Sequence, residues 1–192
     1  MQYIDAEYTD ILEVKKSKFI TYITPYKDFI TLMNRLKKEH PKARHFVYAY
    51  RYLNEFDQVV ENCSDDGEPK GTSGKPTLSV LAGANLINTA VIVVRYFGGV
   101  KLGTGGLVKA YSDAVNLVLK SSSISQYTKL EYKNLYINYS QLSQIEYIIS
   151  LSKIKIKNKI FSHKICLELE ASSEEYDKLL NKIFRDNILE DI

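Results

Sequence analysis

The sequence predicts an α+β protein of two domains, residues 1–125 and residues 126–192. Three observations lead to this prediction. Stretches of alternating or β-branched residues, which indicate strands, are interleaved with stretches whose apolar residues recur at helical spacing. The last third of the chain repeats the mixture in the order β-α-β-β-α, which is that of a split β-α-β, ferredoxin-like domain. A chain of 192 residues has the length of one large or two small domains.

The first domain is predicted to contain five strands and three helices. Its strands are expected at residues 9–14, 18–24, 45–52, 58–62 and 89–96. The last of these is a near-continuous β-branched run, typical of a strand buried on both faces. Its helices are expected at residues 27–40, at residues 76–82 and after residue 103.

The predicted helices of the first domain each carry an apolar face. In the first helix this face is Phe29, Ile30, Met33 and Leu36, and Pro41 ends the helix. Pro76 suits the first turn of the second helix. The apolar stripe of the third helix is Leu107, Tyr111, Ala114 and Val118.

One predicted strand places an aromatic row on one face. Phe46, Tyr48, Tyr50 and Tyr52 alternate with His45, Val47, Ala49 and Arg51. An aromatic row can stack on the bases of a nucleic acid. An alternating strand also buries one face as a matter of course, so we favour core packing.

The second domain is predicted to contain strands at residues 130–139, 153–161 and 163–170, and helices at residues 141–151 and from Ser172. Ser172 and Glu175 have the spacing of a capping box. A short final strand is expected at residues 187–191.

The strand predicted at residues 153–161 is basic. It places Ile154 and Ile156 on one face, and Lys153, Lys155, Lys157 and Lys159 on the other. A solvated face is the favoured interpretation, and a basic stripe that faces phosphates is the alternative. The net charge of +3 is too small to decide between them.

The composition excludes several classes of protein. Its 45% apolar and 26% charged residues are typical of an ordinary globular protein. No apolar run approaches the roughly 20 residues of a membrane span, and no signal peptide opens the chain, so we expect a cytoplasmic protein. Cys63 and Cys166 lack the spacing of a zinc site or disulfide framework. We expect no metal site of that kind and no cofactor.

All nine glycines lie between Gly67 and Gly106, mostly in two clusters. The first cluster reads ENCSDDGEPKGTSGKP from residue 61 to residue 76, and the second reads VVRYFGGVKLGTGGLVKAYSDA from residue 93 to residue 114. Glycine is used where the backbone needs a positive φ or where another group comes close to it. We therefore expect the functional site to lie in these two loops.

The second cluster is predicted to be a strand, a tight glycine loop and a helix N-terminus, a geometry that holds anions through backbone N–H groups. The spacing from Gly98 to Gly103 is that of a nucleotide-binding P-loop, but the required lysine is missing, and the dinucleotide fingerprint also fails. The alternative is a tight turn required only by packing. The predicted anion- or RNA-binding residues are Arg95, Gly98, Gly99, Lys101, Gly103, Gly105, Gly106 and Lys109, with Lys70 and Lys75 if the two loops converge.

The first cluster supplies carboxylates. Asp65, Asp66 and Glu68 have the chemistry to bind Mg²⁺ or to act as general acid and base. Asp-Gly and Glu-Pro are also ordinary turn formers, which is the favoured interpretation. Cys63 with His45 is a weaker candidate for a nucleophile and its base.

Both glycine clusters closely resemble those of the Impact family, also called the YigZ family. The match consists of Glu61, residues 63–76 (CSDDGEPKGTSGKP) and residues 93–114 (VVRYFGGVKLGTGGLVKAYSDA). Asn62 is the one residue in the first cluster that does not match. The resemblance spans about residues 14 to 120, and the remainder resembles the small C-terminal domain of bacterial members. It implies an N-terminal two-layer α/β domain similar to a ribosomal-protein domain and to the fourth domain of elongation factor G. It also implies a ferredoxin-like C-terminal domain.

The resemblance implies a role in translation. Eukaryotic relatives compete for the activator of a protein kinase during amino-acid starvation, through an additional N-terminal domain for which this chain has no room. We therefore expect an RNA-binding or ribosome-associated protein, with a protein partner in translation as a further expectation. The alternatives are a hydrolase that uses Cys63, Asp65, Asp66 or Glu68, and a protein-interaction module.

Overall fold

The computed structural model describes residues 1–185, which form two compact units. The first unit is Met1–Tyr127, and the second begins at Thr128. A strand at Ile124–Gln126 pairs with a strand at Gln2–Ile4, so the segment around the expected domain boundary belongs to the first unit. The expected final strand at residues 187–191 lies outside the described residues. Among those described, no helix has the length and apolar character to cross a membrane.

The first unit contains seven strands and three α-helices. The strands are β1 (Gln2–Ile4), β2 (Tyr8–Val14), β3 (Ser17–Pro25), β4 (His45–Leu53), β5 (Val59–Ser64), β6 (Thr89–Tyr96) and β7 (Ile124–Gln126). The helices are α1 (Phe29–Glu39), α2 (Gly74–Gly83) and α3 (Gly103–Ser121), with a 3₁₀ turn at Tyr26–Asp28 before α1. The five predicted strands and three predicted helices are present, whereas the three-residue strands β1 and β7 were not predicted.

Five strands form one antiparallel sheet in the order β2-β3-β6-β4-β5. The central strand β6 is buried on both faces along all but its last residue, as its β-branched run predicts. One face packs against α2 and α3, through Val91 and Val93 of β6. The other face packs against α1, through Ile92 and Val94.

The expectation of a two-layer first domain is wrong for this sheet, because helices cover both of its faces. The apolar face of α1 also differs from the prediction. Phe29, Leu32 and Leu36 are its buried residues, whereas Ile30 is exposed. The stripe predicted for α3 is buried as expected. In the aromatic row of β4, Phe46 is buried and the tyrosines pack with Phe29 and with a ring from the 3₁₀ turn, as core packing predicts.

The second unit is built in the predicted order. Its elements are β8 (Glu131–Ile137), α4 (Leu142–Ser150), β9 (Lys155–Phe161), β10 (Ile165–Ala171) and α5 (Ser173–Arg185). The sheet order is β8-β10-β9, with β10 antiparallel to both neighbours. At the start of α5, the Ser172 Oγ accepts a hydrogen bond from the Glu175 N–H at 3.2 Å, which is one half of the predicted capping box.

The basic strand β9 lies at an edge of its sheet. Ile154, just before it, is buried, while the lysines of the strand are exposed. Lys157 approaches Glu170 at 3.4 Å and Lys159 pairs with Glu146. Carboxylates thus accompany part of the basic face, as expected for a solvated surface.

Candidate functional site

The second glycine loop joins the end of β6 to the start of α3, as predicted. Gly98 is required by packing, because a Cβ atom there would lie 2.0 Å from the backbone carbon of Lys16. Gly99 and Gly103 have φ of +87° and +74°, in the left-handed region that favours glycine. Gly105 has neither feature: its φ is ordinary and nothing lies within 4 Å of an added Cβ. Packing and backbone conformation therefore explain part of the cluster and leave Gly105 unexplained.

A buried ion pair joins the first loop to the end of β6. Glu68, from the first loop, accepts a hydrogen bond from Arg95 Nη1 at the end of β6, with a distance of 2.5 Å. Tyr111 of α3 donates to the same Glu68 oxygen at 2.8 Å. The side chains of Arg95 and Glu68 are only 7% and 3% exposed. The predicted phosphate ligand Arg95 is thus largely buried, and one side of its guanidinium is neutralised.

Tyr111 completes this buried cluster. Burial, and then the Glu68 carboxylate, raise the pKa of the Tyr111 hydroxyl well above its ordinary value. The hydroxyl therefore stays protonated and donates its hydrogen bond to Glu68. Together the three side chains fix the first loop to the sheet and to α3.

Asp65 holds the first loop together. Its carboxylate accepts hydrogen bonds from the N–H groups of Gly71, Ser73 and Gly74, and from the Ser73 hydroxyl, at 2.7 to 3.1 Å. Burial alone would raise the pKa of this carboxyl, but these hydrogen bonds outweigh burial and hold the pKa below its ordinary value. An ionised Asp65 therefore stabilises the N-terminus of α2.

Asp66 also has a structural environment. Its carboxylate accepts from the Phe46 N–H at 2.6 Å, where β4 runs beyond the end of β5. Its carbonyl lies 2.8 Å from Nδ1 of His45. The described residues contain no group of three or more potential ligands that could hold a metal ion. The three carboxylates that the magnesium and acid-base hypotheses require are therefore engaged in separate hydrogen bonds.

Cys63 and His45 are not brought together. Cys63 lies opposite Ala49, four residues from His45 along β4, which is about 13 Å in a strand. Burial, followed by the nearby Asp65 carboxylate, raises the pKa of the Cys63 thiol. A protonated thiol that is distant from its expected base is a poor nucleophile. The structure therefore does not assemble the pair that the sequence suggested.

Two cavities lie on either side of Phe97, which follows β6 and is 55% exposed. One, of about 380 Å³, is lined by residues of both glycine loops, among them Glu68, Lys101 and Gly103. The other, of about 260 Å³, is lined by Lys42, Arg44, His45, Arg95, Tyr96 and Phe97. The two loops therefore do converge on one surface.

The remaining predicted cations are exposed. Lys101 lines the larger cavity, and Lys109 pairs with Asp113 at 3.0 Å along α3. Lys70 and Lys75 are exposed on the first loop and on α2, and neither lines a cavity beside Phe97. Lys101 is therefore the predicted lysine with the most direct access to a ligand beside Phe97.

The comparisons with known proteins agree with one another. The model of the Impact N-terminal domain matches residues 15–119. An IMPACT family member of Haemophilus influenzae is 36% identical over 89% of this chain and 84% of its own length. The IMPACT family member YigZ of Escherichia coli is 38% identical over 85% of this chain and 82% of its own length. The chain belongs to the Impact family. The resemblance expected from the glycine clusters is confirmed.

One solved structure is similar to this Impact family chain over nearly its whole length. The crystal structure of a hypothetical protein is 34% identical, covers 95% of this chain and 90% of its own, and has a TM-score of 0.67. The two-domain translational regulator Yih1 covers 62% of this chain and 46% of its own at 22% identity, with a TM-score of 0.37. The second likeness is too weak to carry an argument.

The sequence of this Impact family chain did not single out three exposed residues that line the smaller cavity: Phe97, Lys42 and Arg44. Phe97 stands inside the second glycine string, and an aromatic residue beside a glycine loop was a usable signal. Lys42 and Arg44 lie in the segment PKARH before β4. Only the pairing of β4 with β6 brings them next to Phe97.

Proposed function

We propose that this Impact family protein binds RNA at the surface around Phe97 and acts in translation, as a ribosome-associated protein without catalytic activity. The observation that carries the proposal is an exposed aromatic ring flanked by cations. We call the group of Phe97, Lys42, Arg44 and Lys101 the Phe97 surface.

The chemistry of the Phe97 surface suits a single-stranded nucleic acid. An exposed aromatic ring can stack on a base, while lysine and arginine contact the phosphates on either side. Glu68 is the one carboxylate that lines these two cavities, and it is buried against Arg95. The exposed charged residues that line them are therefore all cations, which favours a polyanion over a cationic partner.

The first loop supports a binding role over a catalytic one. Asp65, Asp66 and Glu68 each accept hydrogen bonds that hold backbone or buried side chains in place. The link to translation rests on the family, whose first domain is expected to resemble a ribosomal-protein domain. The strand order β8-β10-β9, with helices after β8 and β10, supports the inference that the second unit has a ferredoxin-like fold.

The first test is the salt dependence of RNA affinity. We expect the logarithm of the association constant for a single-stranded RNA to fall linearly with the logarithm of salt concentration, with a slope of about −0.7 for each phosphate contacted. Lys101→Ala should reduce that slope by about one such contact. Lys120→Ala is the matched control, because Lys120 is exposed at the opposite end of α3. Fluorescence anisotropy across a salt series measures both.

The second arm tests stacking. Phe97→Ala should weaken RNA binding by about 1–3 kcal/mol with little change in the salt slope. Phe56→Ala is the control, since Phe56 is 72% exposed in the turn between β4 and β5. An equal effect of both variants, or no RNA affinity at low salt, would overturn the proposal. Turnover of a phosphate ester that Asp66→Ala abolishes would instead favour an enzyme.

A further inference from the structure

The smaller cavity beside Phe97 has the composition of an anion site. It has a volume of about 260 Å³, and Lys42, Arg44, His45, Arg95, Tyr96 and Phe97 line it. Three of these side chains are cationic at neutral pH and none is a carboxylate. It lies on the β4 side of Phe97, whereas the glycine loops line the other cavity.

The sheet builds this cavity from residues far apart in sequence. His45 and Arg95 are directly opposite each other in the register of β4 and β6, so their side chains leave the same face of the sheet. Lys42 and Arg44 immediately precede β4, and Phe97 immediately follows β6. The cationic groups therefore stand on or next to two paired strands.

Arg95, which lines the cavity, carries an unsatisfied donor. The residue is only 6% exposed, and its Nη1 is bound to Glu68. Its Nε is buried and has no hydrogen-bond partner among the described residues. Nε and Nη2 form the edge of a guanidinium that binds an oxyanion with two parallel hydrogen bonds. A buried donor without an acceptor is costly. Because Nε is closed to solvent in this arrangement, an oxyanion in the cavity would reach it only after a shift of the side chains around Arg95.

The neighbouring carboxylates are occupied elsewhere. Glu68 holds the Nη1 side of Arg95, and the Asp66 carboxylate accepts from the Phe46 N–H at 2.6 Å. The Asp66 carbonyl accepts a hydrogen bond from Nδ1 of His45 at 2.8 Å, which leaves Nε2 of that ring for another partner. These contacts orient the donors. Glu68 compensates Arg95, whereas no carboxylate among the described lining residues accompanies Lys42 and Arg44 in the cavity.

We propose that this cavity binds a terminal phosphate monoester, either of a free mononucleotide or at the end of an RNA strand. A monoester carries about −1.5 to −2 charges at neutral pH and three strong acceptor oxygens. The charges match those of Lys42 and Arg44, and Arg95 and His45 add further donors to the lining. An internal phosphodiester offers a single negative charge. The cavity is also below the roughly 300 Å³ at which pockets begin to enclose a whole small ligand. It therefore suits the end group of a larger molecule whose base reaches Phe97. Where the ligand is RNA, the proposal rests on the proposed function.

The test uses the full chain and a short single-stranded RNA with an internal fluorophore, prepared with a 5′-phosphate, a 3′-phosphate or neither. We expect one phosphorylated form to bind roughly tenfold more tightly than the unphosphorylated form. The Lys42→Ala/Arg44→Ala double variant should lose that preference. The Lys37→Ala/Lys38→Ala double variant removes the same charge from exposed positions at the end of α1 that do not line the cavity, and should keep it.

Adenosine monophosphate, titrated by calorimetry, distinguishes the two sources of the phosphate. Its binding without any RNA affinity would support the phosphate site as a mononucleotide site and overturn the proposed RNA function. RNA binding that ignores terminal phosphates, together with no adenosine monophosphate binding, would overturn the phosphate site and leave the RNA function standing. An equal loss of preference in both double variants would also overturn the site, because it would show an effect of net charge alone.

Discussion

The two glycine loops of the first unit differ in their acidic residues and in their environments. In the first loop, the N–H groups of Gly71 and Gly74 converge on the carboxylate of Asp65, and Glu68 is buried against Arg95. The second loop, at residues 97–102, has no acidic residue, and it leads to a helix start where Gly103 and Gly105 are exposed. Glycine in the first loop lets the backbone close around its own acids, whereas Gly103 and Gly105 after the second loop leave backbone open to solvent.

This difference separates folding from binding. Substitutions in the first loop remove hydrogen bonds that the fold needs, so their main effect should be on stability. Substitutions on the exposed side of the second loop remove few contacts, so their main effect should be on ligand binding. Substitutions at Glu68, Asp65 and Gly105 test that division.

The largest effect is expected for Glu68→Ala. The variant leaves the guanidinium of Arg95 buried without its counter-charge and removes the acceptor of Tyr111, which should lower the free energy of unfolding by about 3–5 kcal/mol. Urea unfolding followed by circular dichroism measures it. Glu61→Ala is the control, because Glu61 is 40% exposed in its pair with Arg51 and should cost less than about 1 kcal/mol. Equal effects of the two variants would contradict the division between the loops.

The same ion pair shows where sequence reasoning reaches its limit. Residues 89–96 were predicted as a buried strand with the bounds found for β6, because a β-branched run indicates a strand without knowledge of its partners. The pairing of Glu68 with Arg95 depends on which strands are neighbours, and no local pattern encodes that. Arg95 was predicted as an anion- or RNA-binding residue, and nothing in the sequence indicated that Glu68 of the first loop pairs with it.

The sequence did not predict the shortest strands or the contacts between residues that are far apart in the chain. Strands β1 and β7 have three residues each, too few for a period to be seen. The two-layer expectation followed from the family resemblance, whereas the fully buried strand already implied cover on both faces. In the first loop, the turn-forming interpretation of Asp66-Gly67 agrees with the hydrogen bond of 3.0 Å from the Glu68 N–H to the Asp65 carbonyl, which closes a turn around these two residues. Phe97 and Lys42 become one surface only once β4 pairs with β6.

An intermediate effect is expected for Asp65→Ala. Loss of an ionised acceptor of four hydrogen bonds should lower the free energy of unfolding by about 2–3 kcal/mol at neutral pH. Because the pKa of the folded carboxyl lies below its ordinary value of 3.8, the stabilisation is complete above that pH and is lost as the pH falls through the depressed pKa. The difference between wild type and variant should therefore shrink in urea titrations at increasingly acid pH. A difference that grows on acidification would rule out this role for Asp65.

The smallest effect on stability is expected for Gly105→Ala. This variant also tests most directly whether the second loop differs from the first in its role. Gly103 and Gly105 both have open space where a Cβ would stand, but Gly103 has a φ of +74°. Gly103→Ala should thus destabilise the fold by about 1–2 kcal/mol, whereas Gly105→Ala should stabilise it by about 0.5–1 kcal/mol. Under the proposed function, the added methyl group at the exposed start of α3 should nevertheless weaken RNA binding. Thermal unfolding and fluorescence anisotropy on these two variants measure the stability and the RNA affinity. A more stable Gly105→Ala protein with unchanged affinity would mean that Gly105 lies outside the RNA contact. If affinity falls while stability rises, Gly105 contributes to binding and lowers the stability of the fold. The glycines of the first loop have the opposite role, because their hydrogen bonds to Asp65 stabilise the fold.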